Sequence, residues 1–244
     1  CPVLPRKATK PGDFVHPLTE SNLSATISAL EALHAAGGKP DDPAFAKALV
    51  FVRRCQNFPD DPKQRDPALD DGGFFFIYDD AVRNKAGVAG KDRQGRERFH
   101  SYGSMTADGL RALLLCGQKP EDHRVKAARD WLEKHFRADV HPGKYAEGRE
   151  VRRAAVYYYY CSSVAQTLRL LKTPELQTEK GKVRWAEALV AELLQRQQKD
   201  GSWVSEATEF REDDPLVATC FAATALAQCR WALTGKPLDA FARP

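Results

Sequence analysis

Apolar residues recur at every third or fourth position along most of the chain, which predicts amphipathic helices. The first segment, residues 21–38, places four apolar residues on one helical face: Leu23, Ile27, Leu30 and Leu33. Ser21 is expected as its N-cap, and a Gly pair ends it. Six further helices are predicted over residues 42–56, 104–117, 121–136, 151–172, 182–198 and 214–235. Strands do not alternate with these segments, which argues against a doubly wound α/β fold.

Short turns that contain Lys and Pro follow four of the helices. They are "GGKPDD" (37–42), "GQKPED" (117–122), "LKTPEL" (171–176) and "TGKPLD" (234–239). The first three lead into another helix, so helices recur in pairs. Repeats of helical hairpins separated by unequal loops predict a solenoid or a closed toroid.

A second recurring pattern follows the second helix of a pair. Gln56 precedes "DDGGFFFIYDD" (70–80), Gln197 and Gln198 precede "KDGSWVSE" (199–206), and "HPGKYAEG" (141–148) is a degraded version. Gly201 is expected to reverse the chain at positive φ, after which Trp203 folds back over the helix end or the next repeat. The Gln amide is expected to bind backbone groups left without partners at the junction.

The length of 244 residues suits one large domain or two small ones. We assign a single domain of helical hairpins to residues 20–235, between an N-terminal extension (1–19) and a tail (236–244). Of the 244 residues, 43% are hydrophobic and 29% are charged. The net charge of +4 is too small to indicate a nucleic-acid partner. Apolar runs are too short for a transmembrane segment. The six cysteines form no C-x-x-C pair and are interpreted as buried thiols.

The chain starts at Cys1, and its single Met is Met105. Residue 1 is therefore not a start codon product. We interpret this end as a processed or fragment boundary, with a lipidated N-terminal Cys as the alternative.

Several segments together resemble a known superfamily. "LLQRQQKDGSW" (193–203) followed by "DDPLVATCFAATALA" (213–227) resembles the QW-type repeat of the terpenoid cyclase and protein prenyltransferase superfamily, the squalene–hopene cyclase-like α/α toroids. "KALVFVRRCQN" (47–57), "DGGFFF" (71–76), "SYGSMTADGL" (101–110) and "YYYY" (157–160) are similar to bacterial prenyltransferase and squalene oxidase repeat proteins of the planctomycete type. The resemblance covers most of residues 20–235.

This resemblance implies alternating inner and outer helices around a central hollow. It also implies export, hence a periplasmic or secreted location, and further helical pairs upstream. Seven predicted helices cannot close a ring of five to seven pairs. The fold is therefore expected to be an α/α toroid or an open arc of one, completed by missing pairs or by a partner chain.

Acidic residues are the first candidates for chemistry. Cyclases of this superfamily resemble one another in an Asp-x-Asp-Asp signature, whose acid must be held protonated by burial. The nearest string here is "REDDP" (211–215), which makes Asp213 and Asp214 the candidate acids. The alternative is helix capping, because Asp-Asp-Pro also occurs at 41–43 and 60–62. His100 is a further catalytic candidate.

Neither a metal site nor a cofactor is predicted. The related prenyltransferases use an Asp/Cys/His zinc site, but Asp214 and Cys220 lie on opposite faces of one predicted helix with no His partner. No G-x-S-x-G motif is present.

Aromatic residues are the candidate ligand wall. Tyr157 and Tyr160 share one face of a helix whose Tyr run covers nearly its whole circumference. Together with "FHSYGSMT" (99–106), they predict a ligand-binding set of Tyr157, Tyr160, Tyr102, Ser104, Phe74 and Phe76. The alternative is packing, with the Tyr hydroxyls bound to neighbouring backbone.

The leading functional hypothesis is a binding or scaffold module whose concave face holds an isoprenoid or a polysaccharide. The rival is an enzyme, either a terpene-cyclase-like protonating enzyme that uses Asp213 or Asp214 or a polysaccharide lyase or hydrolase. A terpene cavity is expected to be dry and aromatic, whereas a sugar cleft is expected to be open and polar.

Overall fold

The computed structural model describes residues 21–236, which contain eight α-helices and two short β-hairpins. The prediction of a predominantly helical, all-α protein is confirmed. The predicted N-terminal extension, Cys1 and the tail beyond Lys236 lie outside the described residues.

The elements follow one another as α-helices interrupted by the two hairpins. The helices are α1 (Leu23–Ala35), α2 (Pro43–Arg54), α3 (Gly103–Leu115), α4 (His123–His135), α5 (Val151–Ala155), α6 (Tyr157–Leu170), α7 (Trp185–Arg196) and α8 (Pro215–Thr234). Strand β1 (Val88–Lys91) pairs antiparallel with β2 (Glu97–Phe99), and β3 (Leu176–Thr178) pairs antiparallel with β4 (Gly181–Val183).

Three helix starts differ from the sequence prediction. The predicted helix 151–172 is broken at Val156, whose φ of −133° and ψ of 34° lie outside the helical region. The helix predicted from residue 182 begins at Trp185, because residues 181–183 pair with the preceding strand instead. The first helix is capped by Asn22 rather than Ser21, since the Asn22 side chain accepts from the N–H of Ala25.

Four helices pack side by side in chain order: α1 against α3, α3 against α6, and α6 against α8. Helices α2 and α4 pack against α3, and α7 packs against α8. Every residue of α3 from Gly103 to Leu113 is buried, which identifies α3 as the central helix of the core. The most completely buried large side chains come from several of these elements, among them Trp185, Tyr160, Phe45, Phe74 and Leu23.

The predicted glycine–aromatic corner after α2 is confirmed. The Gln56 amide donates to the carbonyls of Gly72 (3.0 Å) and Arg124 (2.9 Å). Gly72 has a φ of +86°, and a Cβ there would lie 2.8 Å from the backbone oxygen of Ala127. The N–H of Phe74 donates to the Thr106 hydroxyl on α3 at 3.0 Å, so the corner fastens α2 to the next helix.

The corner after α7 repeats this arrangement around Trp203, which is 5% exposed. Its indole Nε1 donates to the carbonyl of Leu193 at 2.7 Å, and its backbone N–H donates to the Thr219 hydroxyl on α8 at 3.1 Å. Gln197 donates to the carbonyl of Gly201 at 2.9 Å. Trp203 therefore joins the end of α7 to α8, as predicted.

Four described cysteines are buried thiols: Cys55, Cys116, Cys161 and Cys229. Cys220 differs from the prediction, because it is exposed on α8.

Replacing Trp203 by Ala is expected to lower the free energy of unfolding by about 3–5 kcal/mol, because a buried indole is lost and a cavity remains. Trp203→Phe keeps a ring but loses the Nε1 hydrogen bond, and its effect should be smaller. The measurement is urea denaturation followed by circular dichroism. The control is Val82→Ala at a position that is 74% exposed. A Trp203→Ala protein as stable as this control would contradict the role of the corner.

Candidate functional site

The two predicted acids lie at the start of α8. Asp214 is its N-cap, and the carboxylate accepts from the N–H of Leu216 at 3.0 Å. Asp213 is exposed. Neither carboxylate meets the burial that a protonating acid requires. Asp214 is a helix cap, as the alternative interpretation predicted, and neither Asp213 nor Asp214 has the environment of a protonating acid.

His100 is half-buried in an open cleft at the N-terminal end of α3. Burial lowers its pKa from the ordinary value of a histidine, and the nearby Lys144 lowers it further. His100 therefore favours the neutral form and can accept a hydrogen bond in this cleft.

Most of the predicted aromatic wall is packed into the core. The hydroxyls of Tyr157 and Tyr160 donate to the carbonyls of Ala138 (2.6 Å) and Arg137 (2.8 Å), which follow α4. Tyr157 and Tyr160 therefore pack between helices with their hydroxyls bound to backbone, as the alternative interpretation predicted. Phe74 is fully buried against α3, where a Cβ at Gly109 would lie 2.4 Å from its ring.

Tyr102 and Ser104 are also buried, at the start of α3. The N–H of Ser104 donates to Nε2 of the buried His141 at 2.9 Å, so these residues join the corner after α4 to α3. The Tyr102 hydroxyl has no hydrogen-bond partner among the described residues. Of the predicted ligand-binding set, only Phe76 is partly exposed.

Tyr159, which the sequence analysis did not select, lies where the four adjacent helices meet. Its hydroxyl donates to Oδ2 of Asp108 on α3 at 2.6 Å, and its ring packs edge-on against Phe221 of α8 with centroids 5.2 Å apart. The only signal in the sequence was that a Tyr run covering the whole helix must direct one ring away from the face of Tyr157 and Tyr160.

Asp108 is a fully buried carboxylate. It also accepts from the Ser163 hydroxyl and pairs with the Arg111 guanidinium at 3.0 Å. Burial raises its pKa above the usual range, against the opposing effects of Arg111, Ser163 and Tyr159. The ionised form is thus disfavoured by desolvation and supported by three donors.

Glu212 is the buried acid of "REDDP", one position before the predicted pair. Its two carboxylate oxygens accept from the N–H groups of Tyr158 and Tyr159, both at 2.8 Å. Burial raises its pKa to about 7, although the backbone N–H groups at the start of α6 and the charge of Lys85 act in the opposite direction. Glu212 caps α6 because the chain break at Val156 leaves the first N–H groups of that helix without partners.

Lys85 lies near this group. Its ammonium is 4.2 Å from the ring centroid of Phe76 and 4.7 Å from that of Phe210. We call these three side chains the Lys85 clamp.

Two open clefts adjoin one another on the molecule. The first, about 550 Å³, lies between the C-terminal end of α4, the loop before α3 and the β3–β4 hairpin. The second, about 540 Å³, lies between the N-terminal end of α6 and the C-terminal end of α7. Val140 and Arg153 line both clefts.

The cationic lining of the first cleft outnumbers its two acids, Asp71 and Glu179. The cationic residues are Lys134, Arg137, Lys144, Arg153 and Lys180. Three of them are paired with acids: Lys134 with Glu179, Arg137 with Asp139, and Arg153 with Glu150. Asp71 is bound by the Ser101 hydroxyl (2.7 Å) and by the indole of Trp131 (3.0 Å). Lys144 and Lys180 make no ion pair with any carboxylate in the described part of the chain.

Within residues 21–236, no group of three or more His, Cys, Asp or Glu side chains is arranged to hold a metal ion. Helix α8 has the length and apolar composition of a membrane-spanning helix, with a mean hydropathy of 1.3 in its best window. A core helix of a soluble protein meets the same criteria, so the expectation of no transmembrane segment stays a prediction.

Glu212 is expected to make stability fall as pH rises. Its pKa is raised from 4.5 to about 7 in the folded state, so between these values the folded chain binds the proton more tightly than the unfolded chain. Its contribution is therefore greatest at low pH, decreases through this window at up to about 1.4 kcal/mol per pH unit, and is constant above it.

Glu212→Gln removes this titration, so the stability of the wild type minus that of the variant should fall between roughly pH 4.5 and 7. Urea denaturation at a series of pH values measures the difference. Other titrating groups such as His141 contribute to both proteins and cancel. Parallel pH profiles for the two proteins would contradict the assignment.

Comparison with protein-family models, with curated proteins and with solved structures finds no match to this chain.

Proposed function

We propose that this protein is a binding module that holds an extended anionic polysaccharide across its two adjoining clefts. The observation that carries the proposal is that two lysines of the open first cleft, Lys144 and Lys180, make no ion pair within residues 21–236.

The distribution of aromatic side chains favours a sugar over an isoprenoid. An isoprenoid needs a dry, aromatic cavity, yet Tyr157, Tyr160 and Phe74 are used in packing between helices. Both clefts are open and are lined mostly by polar and charged side chains. Such a lining suits hydroxyl and carboxylate groups better than a hydrocarbon chain.

The two clefts differ in their lining residues, so each suits a different group of one extended ligand. The first is cationic and suits a carboxylate or sulfate group, because a lysine ammonium binds such anions through charge-assisted hydrogen bonds. The second is lined by the amides Gln195, Gln197 and Gln198, with Arg153 and Arg196 balanced by acids. Amide groups both donate to and accept from sugar hydroxyls.

The order of helix packing supports an open arc of an α/α toroid as the scaffold. Helices α1, α3, α6 and α8 would be the inner helices and α2, α4 and α7 the outer ones. The two ends of such an arc, α1 and α8, carry exposed apolar side chains, with Leu33 42% and Leu216 73% exposed. Further helical pairs or a partner chain would cover them. Membership of the terpenoid cyclase superfamily and an extracytoplasmic location remain part of this proposal.

Binding is expected to depend on charge. A glycan array followed by isothermal titration should find affinity for polygalacturonate or chondroitin sulfate, none for neutral dextran, and a loss of affinity as salt increases. The double variant Lys144→Ala/Lys180→Ala should bind about thirtyfold more weakly, since each lysine contributes about 1 kcal/mol through a hydrogen bond to an anion.

The matched control is Lys126→Ala, an exposed lysine of α4 outside both clefts, which should bind as the wild type does. A single-stranded RNA of similar charge is included in the titration. Tighter binding of this RNA than of either anionic polysaccharide would overturn the proposal, as would equal affinity for dextran or an unchanged affinity in the double variant.

A further inference from the structure

The Lys85 clamp is a second site, separate from the clefts, because Lys85, Phe76, Phe210 and Glu212 line neither of them. Lys85 is half-buried, and its amine makes no hydrogen bond or ion pair with any residue between 21 and 236. Its nitrogen is nevertheless not among the fully buried polar atoms that lack a partner, so it keeps contact with solvent. The amine is thus held between two rings at the edge of the solvent.

The segment that carries the clamp is fixed by Asn84, which is 1% exposed. Its side-chain oxygen accepts from the N–H groups of Phe76 (2.9 Å) and Ile77 (3.2 Å), and its amide donates to the carbonyl of Ile77 at 2.6 Å. The backbone that carries residues 76 and 85 is therefore held in place by the Asn84 side chain.

The opposite side of the clamp is fixed through Arg152 of α5. Its guanidinium pairs with Glu209 at 2.9 Å and lies over the ring of Phe210 at 5.9 Å. It also donates to the carbonyl of Val82 at 3.4 Å. One arginine thus links the two segments that supply the two rings.

Burial and neighbouring charges shift the pKa of the Lys85 amine in opposite directions. Burial has the largest effect and lowers its pKa, Arg152 and Arg83 act in the same direction, and the resulting pKa is about 8. The carboxylates of Asp108 and Glu212 act in the opposite direction. About a fifth of an amine with this pKa is unprotonated at pH 7.4, against about a thousandth for an ordinary lysine.

We propose that Lys85 is a nucleophilic amine that condenses with the aldehyde or ketone group of a small ligand at the mouth of the Phe76–Phe210 clamp. Lysines become nucleophilic when they are desolvated by apolar walls or placed beside another cation. Lys85 has both features, with two phenyl rings as walls and Arg152 as the cation.

The reaction requires no other reagent. The unprotonated Nζ attacks the carbonyl carbon, the carbonyl oxygen takes a proton, and the carbinolamine loses water to give an imine. The proton that leaves the nitrogen goes to solvent. Carbonyl compounds fit the site because this condensation is reversible and releases only water.

Reductive trapping tests the proposal on the whole chain. The protein is incubated with limiting glyceraldehyde and sodium cyanoborohydride at pH 7.4, and the modified lysines are identified by mass spectrometry of peptides. Lys85 should be modified at least tenfold faster than Lys144 or Lys126, which serve as internal references within the same molecule. Its rate should level off above about pH 8, since the amine is then unprotonated, whereas the reference rates continue to rise.

Arg152→Gln removes the neighbouring cation and should slow the labelling of Lys85 at pH 7.4, while Arg152→Lys keeps the charge and should slow it less. Circular dichroism and the unchanged labelling of Lys126 report whether these variants are folded. Equal labelling of Lys85 and the two reference lysines would overturn the proposal. Polysaccharide binding does not involve Lys85, so either proposal can fail without the other.

Discussion

The fold depends on a hydrogen bond that recurs at two of its corners. In each, the backbone N–H of an aromatic residue at a glycine corner donates to a threonine hydroxyl on α3 or α8. Phe74 binds Thr106 in this way, and Trp203 binds Thr219. The glycine permits the reversal, the aromatic ring fills the space between helices, and the hydroxyl satisfies an N–H that would otherwise be buried without a partner. Each corner thereby fixes the position of one helical pair relative to the next. The corner after α4 makes the junction with His141 in place of an aromatic N–H, because its nitrogen accepts from Ser104.

A second consequence of the same packing arises at the start of α6. The break at Val156 places a helix N-terminus inside the protein, where its N–H groups require an acceptor. Glu212 supplies both oxygens, but the carboxylate is then buried, and its pKa rises to about 7. A group placed for a structural reason thus titrates near neutrality. It also acts on Lys85, whose amine makes no ion pair within residues 21–236. Perturbed groups of this kind are concentrated at functional sites.

Helix positions were predictable from the sequence because apolar periodicity and capping residues are local signals. Asp214 before Pro215 and the Gly201–Trp203 corner are examples, and both are found where the pattern placed them. The break at Val156 was not predictable, since "VRRAAVYYYY" contains no Gly or Pro and the acceptor that stabilises the new N-terminus lies 54 residues away from Tyr158. The two hairpins were missed because each strand has only three or four residues.

The candidate site was predicted less well than the helices for the same reason. Asp213, Asp214 and Glu212 are consecutive acids, and only tertiary contacts decide which of them is buried. The tyrosines were similarly indistinguishable: Tyr157 and Tyr160 bind backbone carbonyls, whereas Tyr159 reaches Asp108 on another helix. Lys85 gave no signal, because its two aromatic neighbours are separated from it by 9 and 125 positions in the chain.

Two consecutive arginines of α5 show how the fold separates its two candidate sites. Arg152 faces the Lys85 clamp, where it pairs with Glu209 and lies over Phe210. Arg153 turns to the other side, lines both clefts and donates to the carbonyl of His141 at 2.9 Å. The side chains of adjacent helical residues point about 100° apart, so even a helix of five residues directs Arg152 and Arg153 to different sides. Because α5 ends at Val156, it is oriented independently of α6 and can lie between the two sites. The break that demands Glu212 as a cap therefore also places the open cleft and the half-buried Lys85 amine on different sides of α5.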